Sequence, residues 1–141
     1  MQVIIFINDK GGATKSTNAL NLAAGLGMVG HKILFIDTDK QCNSTEALLT
    51  GRTSKKINQI SPSSYDVLLD TRMQLDLERV IRTNTREENI HLMPSHEDNE
   101  IIDEKLSDDG MWALAFERRR KHLEELGYDY VIVDLPPGGL K

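Results

Sequence analysis

The stretch NDKGGATKST, residues 8–17, decides the fold of this chain. It follows the apolar run VIIFI at 3–7 and precedes a segment whose apolar residues recur at three- and four-residue steps. A glycine pair at a turn, followed by a lysine and a serine at the start of a helix, is typical of loops whose backbone N–H groups surround a phosphate. The stretch lacks both glycines of the usual pattern G-x-x-x-x-G-K-[ST]. Its context of strand, turn and helix nevertheless predicts phosphate binding.

Length and composition indicate one soluble globular domain. The chain has 141 residues, of which 39% are hydrophobic and 28% charged, and its formal net charge is −5. This charge argues against a generally basic, nucleic-acid-coating surface. A single cysteine, Cys42, excludes an internal disulfide and indicates the reducing cytoplasm. The N-terminal apolar run is too short for a signal peptide or a membrane span, and is interpreted as a buried strand.

Three apolar runs frame the fold: VIIFI at 3–7, ILFI at 33–36 and YVIVD at 130–134. Because they are continuous rather than alternating, they predict parallel strands that are covered on both faces. The segment between the first two runs predicts a helix that ends near Gly30. The first 37 residues therefore predict a parallel pair of strands with a helical crossover, and the glycine loop at the carboxyl edge of the sheet.

The remaining elements follow from turn and capping residues. Residues 50–62 are polar and basic, and predict a surface connection. SSYDVLLDT predicts a short helix capped by Ser63 or Ser64, LERVIR another short element, and NIHLMP a strand closed by Pro94. A helix is predicted over 112–126, with Trp112 and Phe116 as core residues and Gly127 as its stop.

Acidic residues follow two of the predicted strands. Asp37 and Asp39 end the strand at 33–36, and alternation predicts that they lie on the same side of the chain. Asp134 ends the last apolar run. A glycine pair followed by Lys-Ser can also be a chance turn before a capped helix. Carboxylates at the same sheet edge favour a site for nucleotide and Mg²⁺ instead.

These residues resemble a known family. The patterns K-G-G-x-x-K-[ST]-T, D-x-D-x-Q-x-N-S-T and h-h-h-D-x-P-P, where h is apolar, are similar to those of the deviant Walker A ATPases of the ParA and MinD group, over residues 2 to about 140. The resemblance implies a P-loop NTPase fold, an α/β three-layer architecture with a mostly parallel sheet and helices on both faces. Members of this family are about twice as long as this chain, judged by typical domain sizes. Residues 1–141 are therefore expected to be the N-terminal part of a single P-loop ATPase domain, truncated after the Walker B strand.

The resemblance also implies roles for individual residues. Lys10 would reach the nucleotide of the opposite subunit in an ATP-bound dimer, and Lys15 would span the β- and γ-phosphates. Asp39 would position the attacking water. The Mg²⁺ shell would be held by Ser16, Asp37 and Asp134. The loop residues expected to bind ATP are Lys10, Gly11, Gly12, Ala13, Thr14, Lys15, Ser16 and Thr17.

Within the group, the run Gln41, Asn43, Ser44 and Thr45 is closer to ParA-type partition proteins than to MinD. The resemblance then implies an ATP-dependent homodimer that binds DNA non-specifically through the second half of the domain. A ParB-like partner would stimulate hydrolysis while plasmid, phage or chromosomal DNA is segregated. The expected location is cytoplasmic and nucleoid-associated, without membrane binding.

Three residues depart from the family pattern. Thr14 stands where most members have glycine, Lys40 where proline is usual, and Cys42 where glycine is usual. Because a β-branched residue disfavours positive φ, Thr14 predicts altered ATP affinity rather than lost binding.

Two alternatives and two minor features remain at this level. The chain could be a MinD-like membrane-cycling ATPase, or a naturally short, inactive interaction module. The basic run at 118–121 predicts a solvated helix face paired with neighbouring glutamates, rather than a DNA contact. The four histidines lack the spacing of metal ligands.

Overall fold

The computed structural model describes residues 1–7, 13–39, 41–49, 61–96 and 109–135. The strands are β1 (Gln2–Phe6), β2 (Ile33–Asp37), β3 (Ile90–Met93) and β4 (Tyr130–Asp134). The helices are α1 (Ala13–Met28), α2 (Asn43–Leu48), α3 (Ser64–Leu69), α4 (Leu77–Val80), α5 (Asp109–Glu117) and α6 (Arg120–Glu125). All three predicted apolar runs are strands. Within these ranges, no helix has both the length and the apolar character needed to span a bilayer.

The four strands form a parallel sheet in the order β1-β4-β2-β3. The sequence had predicted that β1 and β2 would pair, but β4 lies between them and pairs with both. The crossover through α1 therefore leaves room for one strand, and the apolar β4 fills it. In this register Asp134 stands opposite Phe6 on one side and Asp37 on the other.

Helices cover both faces of the sheet, as the predicted three-layer architecture requires. Ile33 and Phe35 of β2 face a core cluster that includes Ala19 and Ala23 of α1 and Leu48 of α2. Their neighbours Leu34 and Ile36 face the opposite cluster, which is built mainly by α3 to α6. Strand alternation separates the two clusters, since successive side chains point to opposite faces. The second cluster contains Trp112 and Phe116, as predicted.

Strand β1 is less buried than the sequence predicted. Ile5 is 41% exposed, and Ile7, directly after the strand, is 51% exposed, whereas every residue of β2 is buried. The reason is position: β1 lies at the edge of the described sheet, with β4 on one side only. A continuous apolar run indicates a buried strand, but it does not by itself show whether the strand is central or at the edge of the sheet.

Local capping explains several boundaries. Helix α1 ends at Met28, near Gly30 as predicted. The φ of Gly30, +96°, lies in the left-handed region, and Gly30 N–H donates to the carbonyl of Gly27. Helix α3 begins after Ser63 with a capping box, in which the Ser63 and Asp66 side chains each bond the backbone of the other. The predicted strand NIHLMP is β3, which ends directly before Pro94.

The predicted helix over 112–126 is two helices, and this correction concerns Arg119. The chain turns at 118–119, where Arg119 N–H bonds the carbonyl of Phe116. The Arg119 side chain is only 3% exposed and donates to the carbonyls of Ala115 and Asp70, at 2.7 and 2.6 Å. The prediction of a solvated basic face is therefore wrong for Arg119. It holds for Arg120, which pairs with Glu117 and Glu124.

Candidate nucleotide-binding site

The first turn of α1 meets the end of β4. Lys15 and Ser16 are both buried, although each carries a polar group. Lys15 Nζ lies 2.8 Å from Asp134 Oδ1 and also donates to the carbonyl of Leu135. Ser16 Oγ donates to Asp134 Oδ2 at 2.8 Å. The structure thus brings together three residues that the sequence assigned to one site: the loop lysine, the loop serine and the Walker B aspartate.

Asp134 is the centre of this arrangement. Its carboxylate is fully buried, and Oδ2 also accepts a bond from Ser44 Oγ at 3.2 Å. Among the described residues, none donates a well-oriented hydrogen bond to Oδ1, and the charge of the Lys15 ammonium faces it instead. A buried carboxylate in this state favours a nearby cation, because a charge away from water requires compensation.

These groups fit Mg²⁺, which prefers oxygen ligands and usually keeps several of its waters. Ser16 Oγ and the Asp134 carboxylate are adjacent hard oxygen donors. Over the described part of the chain, no cluster of three or more His, Cys, Asp or Glu side chains could hold a metal alone. An ion bound here would therefore depend on phosphate oxygens and water for most of its ligands, as in nucleotide sites.

Asp37 lies beside Asp134 and anchors the start of helix α2. Its Oδ2 accepts bonds from Thr45 N–H at 2.9 Å and from Thr45 Oγ1 at 2.7 Å. Its Oδ1 accepts the N–H of Asp39 at 3.0 Å. Each carboxylate oxygen thus has a donor from the segment that follows β2. The position fits the predicted place at the Mg²⁺ shell, and the contacts add a structural role that the sequence analysis did not assign.

The pKa of Asp37 reflects its position. Complete burial, and then the negative charge of Asp134, raise the pKa of Asp37 to about 7, while the bonds from Thr45 and Asp39 act in the opposite direction. Burial and the neighbouring charge of Asp134 thus disfavour the ionised form of Asp37. A divalent cation beside Asp37 would favour that form. The electrostatics at Asp37 therefore suit a site that holds a cation.

Asp39 lies just beyond the strand, at the carboxyl edge as predicted. Strand β2 ends at Asp37, so a turn rather than strand alternation places Asp39. Asp39 Oδ1 accepts the N–H of Gln41 at 3.0 Å, and its carbonyl accepts the N–H of Cys42 at 2.9 Å. Asp39 is therefore held by a local turn that leads directly into α2.

Two of the departures from the family pattern now have a structural setting. Thr14 lies in the first turn of α1, so the backbone there is right-handed helical and does not require a glycine. Cys42 has φ 58° and ψ 26°, which is the left-handed conformation that glycine adopts without strain. This conformation explains why family members usually have glycine at position 42. In this chain Cys42 adopts it with backbone strain.

Some predicted site residues lie outside the described residues: Lys10, Gly11, Gly12 and Lys40. Of Ala13 and Thr14 the structure gives the helical backbone only. Thr17 is an exposed residue of α1. The structure therefore assembles the Lys15, Ser16, Asp37, Asp39 and Asp134 part of the predicted site.

The comparisons with known proteins agree with this fold. A sequence model of the AAA domain family matches residues 1–139. The chromosome partitioning protein ParA of Caulobacter vibrioides is 30% identical over 141 residues, which cover 97% of this chain and 48% of that protein. The sporulation initiation inhibitor protein Soj of Bacillus subtilis is 29% identical over 136 residues, covering 96% of this chain and 50% of Soj.

A solved structure extends the likeness to three dimensions. Cobyrinic acid a,c-diamide synthase from Mycobacterium smegmatis, with a bound ATP analog and magnesium, matches with a TM-score of 0.74 and 28% identity, over 97% of this chain and 52% of that one. The predicted P-loop NTPase fold is thereby confirmed. The chain spans about half the length of the curated relatives it matches. Because the family match extends over nearly all of the sequence, the chain belongs to the AAA domain family, and it is similar to the ParA and Soj proteins.

Proposed function

We propose that this protein binds ATP with Mg²⁺ at the carboxyl edge of the sheet and, as a complete protein, hydrolyses it. The observation that carries this proposal is the convergence of Lys15 and Ser16 on Asp134. A lysine and a hydroxyl at a helix N-terminus, opposite an acidic strand end, are the groups that nucleotide phosphates and their metal ion need. An ATP analog and magnesium are the ligands named for the cobyrinic acid a,c-diamide synthase structure, which has the same fold.

Binding would be shared between backbone and side chains. The proposed phosphate loop consists of Lys10, Gly11, Gly12, Ala13, Thr14, Lys15, Ser16 and Thr17. Its backbone N–H groups would surround the phosphates, while the charge of Lys15 would reach the β- and γ-phosphates. To do so, Lys15 would exchange its contact with Asp134 for the anion, which would leave the Asp134 carboxylate available to hold Mg²⁺. Ser16, Asp37 and Asp134 are the proposed residues of the Mg²⁺ shell.

Hydrolysis would be phosphoryl transfer to water. Asp39 is proposed to orient the attacking water, and Lys15 to stabilise the charge that develops on the transferred phosphoryl group. Bound Mg²⁺ would supply further charge neutralisation there. Lys10 is proposed to act in trans on the nucleotide of a second subunit. These four contributions are positioning and electrostatics, which account for most of the catalysis of phosphoryl transfer.

The biological proposal is DNA partition. The Caulobacter relative is named a chromosome partitioning protein, and the proposal extends that role to this chain. Residues 1–141 would be the N-terminal part of a single P-loop ATPase domain. The complete protein would form an ATP-dependent homodimer, bind DNA non-specifically and respond to a ParB-like partner. It would act in the cytoplasm, associated with the nucleoid.

Asp39→Asn in the complete gene product tests the catalytic proposal. The variant keeps the shape of the side chain but not its charge. We expect ATP binding to be retained and Mg²⁺-dependent phosphate release to fall at least about 100-fold, the lower end of the range for acid–base groups. Asp129→Asn, at the opposite edge of the sheet, is the matched control and should hydrolyse normally. Unchanged hydrolysis by Asp39→Asn would contradict the assigned role.

The partition proposal is tested by the surface that the ATP-bound protein selects. Non-specific duplex DNA should retain the protein with ATP and Mg²⁺ and release it with ADP. Vesicles of anionic phospholipid should not retain it in either state. Binding to the vesicles but not to DNA would replace the partition proposal with a membrane-cycling function.

A further inference from the structure

Helix α3 bonds the backbone that leads to Asp39. Ser64 Oγ donates to the carbonyl of Asp37 at 2.7 Å, and Tyr65 Oη donates to the carbonyl of Thr38 at 2.7 Å. Both hydroxyl groups are buried with their residues. Two consecutive side chains of one helix thus bind two consecutive carbonyls of the segment that follows β2.

The same segment is held from the other side by β4. Thr38 N–H and Thr38 Oγ1 both donate to the carbonyl of Asp134, at 3.1 and 2.7 Å. The Thr38 residue therefore lies between Tyr65 and the Walker B strand, with hydrogen bonds to each. Asp39 is the next residue, and its own N–H bonds Asp37 Oδ1. The direction in which the chain leaves β2 is fixed immediately before Asp39.

Tyr65 is itself rigidly placed. Its side chain is 1% exposed, and its ring meets that of Trp112 edge to face at a centroid distance of 5.0 Å. The helix that carries it starts with the Ser63 capping box, and Ser64 N–H bonds the carbonyl of Pro94. A hydroxyl on such a support can hold a backbone carbonyl with little motion.

We propose that Tyr65 and Ser64 are positioning residues for hydrolysis, which act on Asp39 through the backbone of Asp37 and Thr38. This inference rests on the proposed function, in which Asp39 orients the attacking water. A displacement of about 1 Å in a catalytic group can cost about 100-fold in rate. The two hydroxyls bond carbonyls of the segment that leads to Asp39, whereas Lys15 and Ser16, the proposed phosphate-binding residues, contact Asp134. Loss of either should therefore change turnover more than nucleotide affinity.

Tyr65→Phe is the direct test, since it removes one hydroxyl and keeps the ring against Trp112. In the complete gene product we expect kcat for Mg²⁺-dependent ATP hydrolysis to fall about tenfold, within the range that misplacement causes, while KM changes less than about twofold. Ser64→Ala removes the neighbouring bond and should change kcat in the same direction. This second variant keeps the inference testable if Tyr65→Phe fails to fold.

Tyr128→Phe is the matched control. Tyr128 is also buried, and its hydroxyl lies 2.7 Å from His91 Nδ1, before the start of β4 and away from the strand ends that carry the site. Its substitution deletes the same chemical group and a hydrogen bond of the same length. General loss of stability would affect both tyrosine variants. General destabilisation alone would therefore not explain a loss of kcat that is confined to Tyr65→Phe.

The outcomes separate the inference from the proposed function. Reduced kcat with unchanged KM in Tyr65→Phe or Ser64→Ala, and normal kinetics in Tyr128→Phe, would support positioning. Normal kcat in both α3 variants would overturn it, as would an equal fall in kcat in all three variants. A wild-type protein that neither binds nor hydrolyses ATP would reject the proposed function, and the positioning role with it.

Discussion

Ser16 Oγ donates a 2.8 Å hydrogen bond to Asp134 Oδ2, although the two residues are 118 positions apart in the sequence. The bond joins the first turn of α1 to the end of β4, and Lys15 reaches the other oxygen of the same carboxylate. The Asp134 side chain therefore fixes the start of α1 to the end of β4. Asp134 has a structural role as well as its proposed role beside Mg²⁺.

Asp134→Asn should uncouple nucleotide binding from Mg²⁺. The amide is similar in shape but lacks the charge that favours a cation, so the Mg²⁺-dependent gain in ATP affinity should fall at least about tenfold, or about 1.4 kcal/mol. The measurement is the dissociation constant for ATP with Mg²⁺ and with EDTA. Asp129→Asn is the control, since Asp129 bonds Lys32 N–H at the opposite edge of the sheet. An Asp134→Asn protein with the full Mg²⁺ effect would refute this role.

Cys42→Gly should show that position 42 is strained. The left-handed conformation costs an L-residue about 1–2 kcal/mol, which glycine does not incur. Since glycine also has the more flexible unfolded chain, we expect Cys42→Gly to be about 1 kcal/mol more stable than Cys42→Ala. Both variants lose the buried thiol, so urea denaturation of the pair isolates the backbone. Greater stability of the alanine variant would mean that the buried Cβ contributes more than the strain costs.

Asp70→Asn should destabilise the protein at neutral pH but not in acid. Burial raises the pKa of Asp70, but the N–H groups of Leu75 and Gln74 and the Arg119 guanidinium outweigh it, and hold the pKa below its usual 3.8. A lowered folded pKa gives stability that is present above the unfolded pKa and is lost as pH falls through the folded one. The expected cost at pH 7 is about 1–3 kcal/mol, because the buried Arg119 loses a charged partner.

The check on Asp70 is urea denaturation from pH 7 down to pH 3. The difference between wild type and Asp70→Asn should shrink below about pH 4 as the wild-type carboxylate becomes protonated. Asp76→Asn serves as control, because asparagine can replace the Asp76 side chain that caps α4. A difference that stays constant across the pH range would exclude the charge of Asp70 as its cause.

Lys10→Ala is predicted to separate dimerisation from binding. If Lys10 acts on the nucleotide of a second subunit, the variant should bind ATP within about twofold of wild type, because Lys15 still supplies charge in the same subunit. It should fail to form the ATP-dependent dimer of the complete gene product. Light scattering with a slowly hydrolysed ATP analogue measures this. Equal loss of nucleotide binding in Lys10→Ala and Lys15→Ala would rule out the division of roles.

Much of the site was predictable because it depends on local patterns at strand ends. The placement of Asp37, Asp39 and Asp134 at one sheet edge follows from apolar runs that end in acids, since parallel strands share a carboxyl edge. The capped start of α3 at Ser63 also followed from short-range chemistry. Each of these features is determined by residues a few positions apart.

Features set by long-range contacts were not predictable. The insertion of β4 between β1 and β2 depends on which of the apolar strands pair with each other. Their sequences are similarly apolar and do not specify which strands are neighbours. The break at Arg119 depends on Asp70, which lies 49 residues earlier. The bonds from Ser64 and Tyr65 to the backbone before Asp39 likewise join separate elements.

The most direct test of the account is a titration of this chain with a fluorescent ATP analogue in the presence of Mg²⁺. The wild-type chain should bind saturably, Lys15→Ala should not, and Lys32→Ala should bind like wild type. Lys32 is the matched control because it directly precedes β2, at the end of the strand away from the proposed site. Its Nζ donates to the carbonyl of Leu126 there. Circular dichroism would confirm that all three proteins are folded. Equal binding by the folded wild type and the folded Lys15→Ala variant, or none by either, would contradict the proposed nucleotide site.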